Sequence, residues 1–229
     1  FDSNRNGNQD IFVQNLGGGP SVQVTADSTD EFGGVLSPDG TELAYFAIRD
    51  GFRAVFVKPT SLGLETRLSP DSGGVNYRFP DWSPDGLKIV FEGRGGPWVV
   101  SRDSIGAEWS DPVSVGVYGL RPVWMPDGQA IMVFFGGALW KVSVDGRFWR
   151  LFQPAPDSTN RDEIRTVFRA VLTTDGDAIV LSARTWTDAE AVWSIPVTTG
   201  QPCRLEDDGR RICQEDVALP APRLLIEFD

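Results

Sequence analysis

An all-β repeat fold, with about five units of four short antiparallel strands each, is predicted by three features of the sequence. Apolar and β-branched residues come in runs of about five to seven, bounded by Gly, Pro, Asp or Ser, and no segment sustains a helical period. The segments "GGVLSPDGTELAYF", "FPDWSPDGLKIVFE", "RPVWMPDGQAIMVF" and "FRAVLTTDGDAIVL" each set an apolar run, an Asp-Gly turn and a second apolar run in the same order. Their turn aspartates, Asp39, Asp85, Asp127 and Asp175, lie 46, 42 and 48 residues apart, so five units fill the 229 residues.

Within the second unit the strand-like runs are Gly33 to Ser37, Glu42 to Ile48, Arg53 to Lys58 and Leu64 to Leu68. In the third they are Phe79 to Ser83, Lys88 to Phe91, Trp98 to Ser101 and Pro112 to Val115. A four-stranded sheet of this size cannot bury both faces alone, so successive sheets must stack on one another about an axis, which is a β-propeller. The predicted blades are residues 1–27 with 223–229, 28–70, 71–116, 117–154 and 155–222, all in one domain. The repeated turn residues follow from hairpin geometry. Pro presets φ, Asp accepts from nearby backbone N–H groups and Gly tolerates positive φ, so the four aspartates read as structural.

With "WSPDG" at Trp82 to Gly86 followed by Ile89 and Phe91, and "SPDG" at Ser37 to Gly40, the chain resembles the TolB-like, WD-repeat-like β-propellers, whose blades carry W-S-P-D-G-x-x-I-x-F. The pattern is looser at Trp124-Met125-Pro126-Asp127-Gly128, and at Thr173 to Gly176 the aromatic and the proline are gone. The resemblance implies a propeller that serves protein–protein contact at the cell envelope.

Aligned on the repeat, Phe1 falls where Phe91 stands, so the chain begins inside a blade and "SNRNGNQ" occupies a turn between second and third strands. A polar hairpin turn is one reading of it. The other is a calcium site, because Asp2, Asn4, Asn6 and Asp10 are hard oxygen donors near a Gly, although the twelfth loop position holds Val13 instead of a bidentate acid. The first blade then lacks strands, and Arg223, Leu224, Leu225, Ile226, Glu227 and Phe228, set off by Pro220 and Pro222, are expected to complete it. That strand would act either as a strap within the molecule or as a donation between subunits of a filament.

Cys203 and Cys213 stand symmetrically about Asp208 in an Asp207-Asp208-Gly209 hairpin, which favours a disulfide and an extracellular or periplasmic location. A formal net charge of −11 opposes nucleic acid as a partner. No run approaches the roughly 18 apolar residues of a membrane helix, so no membrane insertion is expected.

The absence of histidine excludes Ser-His-Asp and Cys-His chemistry and histidine-ligated zinc. No catalytic residue and no cofactor beyond the candidate calcium is assigned, and "NLGGGPS" reads as a linker, since it precedes no helix. Of the eight tryptophans, Trp82, Trp124, Trp140 and Trp193 fall at repeat-equivalent core positions. Trp109, Trp149 and Trp186 lie nearer loops, where they either pack structurally or anchor a partner. The insertion Gln153 to Arg165 is the longest departure from the repeat.

The expected function is a non-enzymatic binding or assembly module whose partner is another protein or itself. Two alternatives stand beside it: a calcium-stabilised filament subunit, and an accessory propeller of a larger hydrolase or kinase.

Overall fold

A computed structural model describes residues 1–71, 74–143, 147–152, 164–185, 190–197, 204–205, 211–212 and 223–228. The protein is a β-propeller of five blades, and every described element is a strand. Blade 1 is three-stranded: β1 (Asp2–Ser3), β2 (Asp10–Val13) and β3 (Val22–Gln23). Blade 2 runs β4 (Glu31–Leu36), β5 (Glu42–Arg49), β6 (Phe52–Pro59) and β7 (Thr66–Arg67). Blade 3 runs β8 (Arg78–Trp82), β9 (Lys88–Gly93), β10 (Gly96–Ser101) and β11 (Val113–Ser114). Blade 4 runs β12 (Leu120–Trp124), β13 (Ala130–Phe135), β14 (Ala138–Ser143) and β15 (Phe148–Phe152).

Blade 5 corrects one expectation. Its strands β16 (Ile164–Leu172), β17 (Ala178–Thr185) and β18 (Glu190–Pro196) are followed by a separate two-stranded hairpin, β19 (Arg204–Leu205) with β20 (Arg211–Ile212). The C-terminal β21 (Arg223–Phe228) then pairs antiparallel with β18, Glu190 opposite Phe228 and Ser194 opposite Arg223. Arg223, Leu224, Leu225, Ile226, Glu227 and Phe228 therefore complete the fifth blade of their own chain and not the first. The physical reason is the edge of β18. The hairpin β19–β20 forms its own sheet, so the fourth position of blade 5 stays open for β21.

By chain contacts the molecule divides into two compact units, Phe1–Trp124 and Met125–Asp229. In the first unit β5 shows why blades need neighbours on both sides. Its alternating residues Leu43, Tyr45 and Ala47 pack with Ile11 of blade 1, while Ala44 and Phe46 join a second core with Trp82, Ile89 and Phe91 of blade 3. A period of two thus delivers apolar side chains to both faces, and the strand is buried along its middle. Trp82, Trp124 and Trp140 are buried as expected, and Trp193 is half-buried.

All four Asp-Gly turns fold alike. The N–H of Gly40, Gly86, Gly128 and Gly176 donates to the carbonyl of Ser37, Ser83, Met125 and Thr173 at 2.8–2.9 Å, with glycine φ between 65° and 76°. Asp85 Oδ1 accepts from Ser83 Oγ at 2.6 Å and from Leu87 N at 2.9 Å, and Asp39 and Asp175 repeat the pattern. The Ser37 hydroxyl, the Thr41 N–H and the Thr41 hydroxyl hold the Asp39 carboxyl down at about 2. Met125 replaces the hydroxyl in blade 4, where Asp127 Oδ1 keeps the N–H of Gln129 and its Oδ2 meets Lys141 Nζ at 3.5 Å.

These aspartates are turn residues. Ser83→Ala removes the hydroxyl that serves Asp85, Lys88 O and Lys88 N from a buried position. It is expected to lower the unfolding free energy by about 1–3 kcal/mol in urea titration. An unchanged midpoint would show that the turn does not depend on its side chains.

Candidate functional site at the open end of blade 3

The expected calcium donors are not brought together. The carboxylate of Asp2 accepts from Gly33 N at 3.2 Å, the Asn4 carbonyl closes the turn on Gly7 N at 3.0 Å, and Asn6 Nδ2 donates to Gln23 Oε1 at 2.8 Å. Asp10 is buried beneath the turn, opposite Ser3 in the ladder, beside Glu31. Among the described residues no three acidic, cysteine or histidine side chains are placed to hold a metal ion.

Asp10 instead belongs to a polar seam between blades 1 and 2 organised by Arg49. The guanidinium pairs with Asp27 at 2.8 Å, Glu31 at 3.1 Å and Glu65 at 3.5 Å, and it donates to Thr29 Oγ1. Tyr45 OH donates to Glu65. Burial pushes the carboxyls of Asp10 and Glu31 upward, with Asp27 adding to the effect on both and Arg49 opposing it at Glu31. Burial and then Glu65 push the Tyr45 phenol well above its ordinary range. A second buried cation, Arg102, ties blade 2 to blade 3. It meets Glu42 at 2.6 Å, donates to Gly86 O at 2.9 and 3.2 Å, and lies 4.5 Å from the Trp109 ring and 5.5 Å from that of Trp82. Trp109 is thus a packing residue, edge-on to Trp82 at 5.7 Å. Trp149 carries Lys141 Nζ at 5.7 Å from its ring.

Apart from Asp50 in the β5–β6 turn, with φ of 53°, the described non-glycine residues with left-handed backbone lie at one end of the first strands. Phe79 and Arg121, six residues before Asp85 and Asp127, have φ of 53° and 49°, and each precedes a proline. The corresponding residue of blade 2 is Gly33, with φ 62°. The strand ladders shift register here, between Phe32 and Val35 and between Arg78 and Asp81, so the left-handed residue sits in a bulge. Glycine accepts that conformation freely, whereas a side chain costs about 1–3 kcal/mol there.

Glu92 bridges the two strands that carry these residues, β8 and β12. Its Oε1 accepts from Arg78 Nε at 2.8 Å and its Oε2 from Arg121 N at 2.9 Å, in a buried position. The half-buried Phe79 ring then lies between two guanidinium groups, Arg121 at 4.7 Å and Arg78 at 5.1 Å, with Phe46 edge-on at 5.6 Å. Tyr118 and Leu120, both exposed, flank Arg121 in sequence. Beside Glu92 a shallow cavity of about 290 Å³ is lined by Gly74, Val75, Asn76, Gly93 and Arg94.

Two residues after Phe79, Asp81 stands where blades 2, 4 and 5 carry Val35, Val123 and Val171. Its Oδ2 accepts from Trp124 N at 2.6 Å, and burial raises its carboxyl to about 7.

Sequence reading missed Arg78, Phe79, Asp81, Glu92 and Arg121. The signal was present: aligning the repeats puts Gly33, Phe79 and Arg121 in one column, and a glycine there marks a left-handed position for the other two. The expected Cys203–Cys213 pair, Trp186 and most of the insertion Gln153 to Arg165 lie outside the described residues.

Comparison with solved structures agrees with the blade pattern. TolB from Acinetobacter baumannii superposes with a TM-score of 0.62 at 20% identity, over 85% of this chain and 48% of that one. The architecture is a TolB-like β-propeller. A putative TolB from Agrobacterium tumefaciens also gives a TM-score of 0.62, at 19% identity over 83% of this chain and 71% of that one. In sequence, 86 residues are 34% identical to tricorn protease homolog 1 of Streptomyces coelicolor, covering 38% of this chain and 8% of that protein. The chain therefore spans a small part of that relative and about half of the Acinetobacter TolB. No family model matches it.

Two predictions follow from this TolB-like frame. A carboxyl whose pKa is higher folded than unfolded takes up a proton on folding, so Asp81 makes stability fall as pH rises from about 4 to about 7. Asp81→Asn is expected to flatten that part of the stability profile, and an identical slope in wild type and variant would contradict the buried carboxyl. Arg121→Gly is expected to leave stability unchanged or raise it by up to about 1 kcal/mol, against the loss of about 0.5–1 kcal/mol that glycine causes in an ordinary strand. A full loss by chemical denaturation would mean the left-handed backbone stores no strain.

Proposed function

We propose that the protein is a non-enzymatic, extracytoplasmic protein-binding propeller, and that its contact surface is the end of blades 3 and 4 marked by Phe79 and Arg121. The observation that carries the reading is the strain. Two side-chain-bearing residues occupy a backbone state that blade 2 assigns to glycine, and sequence economy alone would favour glycine at all three positions. Around the strained positions stand the exposed Arg121, Tyr118 and Leu120 and the half-buried Phe79, and Arg and Tyr are among the residues enriched in protein–protein hot spots. The absence of histidine, which removes Ser-His-Asp and Cys-His arrangements, supports a binding role. The TolB-like fold raises the prior for a binding module by analogy only.

An oxidising compartment is supported by the β19–β20 hairpin. Its register, Arg204 opposite Ile212 and Leu205 opposite Arg211, is centred on position 208, the centre that the Cys203–Cys213 pairing requires. A second reading, a gating or sensor propeller of a larger peptidase, is favoured by the match to the tricorn protease homolog. Strand donation between subunits has less support, because β21 pairs within its own chain.

The binding surface is tested by placing a photo-crosslinking phenylalanine at Leu120, and for comparison at Ile105 in the β10–β11 connection, in the full chain within its native cells. A discrete protein adduct at Leu120 and none at Ile105 is the expected result. Equal labelling at both positions, or none at either, would remove the surface from consideration. Intact mass without reductant is expected to be lower by two hydrogen atoms than after reduction; equal masses would end the disulfide reading.

A further inference from the structure

The partner's chemistry is legible from which arginines lack counter-ions. Arg49, Arg67, Arg78, Arg102 and Arg184 all pair with carboxylates. Arg5, Arg53, Arg94 and Arg121 do not, among the described residues; Arg5 stacks on Phe1 and Phe12 in blade 1, and the other three are in, or bonded through their backbone N–H to, residues at the blade 3 cavity. Arg94 lines it. Arg53 is joined to its wall through Asn76, whose Oδ1 accepts from Arg53 N at 2.9 Å, and its carbonyl accepts from Tyr77 N at 2.8 Å. Arg121 is anchored beside it by the Glu92 carboxylate, and the one acid at the centre, Glu92, is already committed to Arg78 and to Arg121 N.

The clustering runs against the protein's overall charge. With a net charge of −11, an arginine placed without purpose would find a carboxylate nearby more readily than stand without one. The apolar neighbours are equally specific. The half-buried Phe79 ring is flanked by the Arg121 and Arg78 guanidinium groups, and the exposed Tyr118 and Leu120 precede Arg121 in the chain. Close approach is built in as well: a side chain at Gly96 would collide with Val117 O at 2.0 Å, so the β9–β10 turn that carries Arg94 lies directly against the segment leading to Arg121.

We propose that this end of blades 2 to 4 binds an acidic, aromatic-bearing extended segment of another protein, its carboxylates on Arg94 and Arg121 and its apolar side chains against Phe79 and Leu120. Guanidinium groups suit this because their planar fork binds carboxylate in two parallel hydrogen bonds. The inference rests on the protein-binding reading above and adds the chemistry of the partner to it.

The test uses the full chain and a fluorescein-labelled peptide of alternating Glu and Phe, with a peptide of alternating Gln and Phe as the neutral comparison, read by fluorescence anisotropy. The acidic peptide is expected to bind about tenfold more tightly than the neutral one, to weaken as salt rises, and to lose about tenfold in affinity to the Arg94→Gln/Arg121→Gln variant. Both side chains are exposed and the Glu92 bond uses the Arg121 backbone, so the variant keeps its fold; Arg67→Gln, on the outer edge of blade 2, serves as the charge control. Equal affinity for the two peptides, or an acidic peptide indifferent to the double variant but sensitive to Arg67→Gln, overturns the proposal. If neither peptide binds while Leu120 still crosslinks to a protein, the acidic chemistry is wrong and the binding reading stands. Failure of both removes the two together.

Discussion

Each blade of the first unit grips the next through one recurring contact, between the end of a second strand and a left-handed residue on the following first strand. Asp2 accepts the N–H of Gly33, Phe46 packs edge-on against Phe79, and Glu92 accepts the N–H of Arg121. The two members of each pair occupy the same columns of the repeat, so the contact is a property of the fold and its chemistry is free to vary. The bulge makes it possible, because it turns the backbone N–H out of its own ladder and toward the neighbouring sheet. A donor turned outward in this way must find an acceptor, and a carboxylate on the adjacent blade supplies a strong one. Where blade 2 has Phe46 in that column, the contact with the next blade is the edge-on packing of its ring against Phe79.

The other charges divide according to whether they are needed to join blades. Arg49 gathers Asp27, Glu31 and Glu65 at the seam between blades 1 and 2, and Arg102 spans blades 2 and 3 through Glu42, Gly86 and two tryptophans. Desolvating these cations costs several kcal/mol each, which is tolerable only because every one is surrounded by acceptors. Such pairs add specificity of blade order more readily than net stability, since neither seam would accept a different neighbour without stranding a charge. Arg94 and Arg121 stand outside these seams, as the proposed binding surface requires.

Much of the fold was legible because it is written four times. The turn tetrads at Ser37, Ser83, Met125 and Thr173 combine proline or threonine, aspartate and glycine in the order a tight turn requires, and the strands on either side alternate apolar residues with a period of two. The destination of the C-terminal strand was not legible. Arg223 to Phe228 can pair with any open edge of compatible length, and the choice of β18 over β1 depends on the β19–β20 hairpin leaving that edge uncovered, a long-range fact with no local signature. The calcium reading of Asp2 to Asp10 failed to converge for a related reason: strand alternation sends Asp2 and Asp10 to different neighbours, Gly33 and Glu31, and spacing alone does not say which face each will take.

A repeat protein separates what every blade must keep from what one blade is free to change, and the candidate site is made of such changes. Asp81 replaces a valine of three other blades, and Phe79 and Arg121 replace the glycine of blade 2. None of these substitutions relieves strain, although the Phe79 ring packs against Phe46 and the core shared by blades 2 and 3. Asp81 places a carboxyl where burial raises it to about 7, and the other two hold a backbone geometry that glycine would hold more cheaply. Neighbouring contacts make them tolerable, Trp124 N at Asp81 and Glu92 at Arg121, so the surrounding structure has been built to keep them in place. Residues retained at a cost, supported by a dedicated partner and gathered at one end of adjacent blades, are what a binding surface on an otherwise uniform scaffold requires.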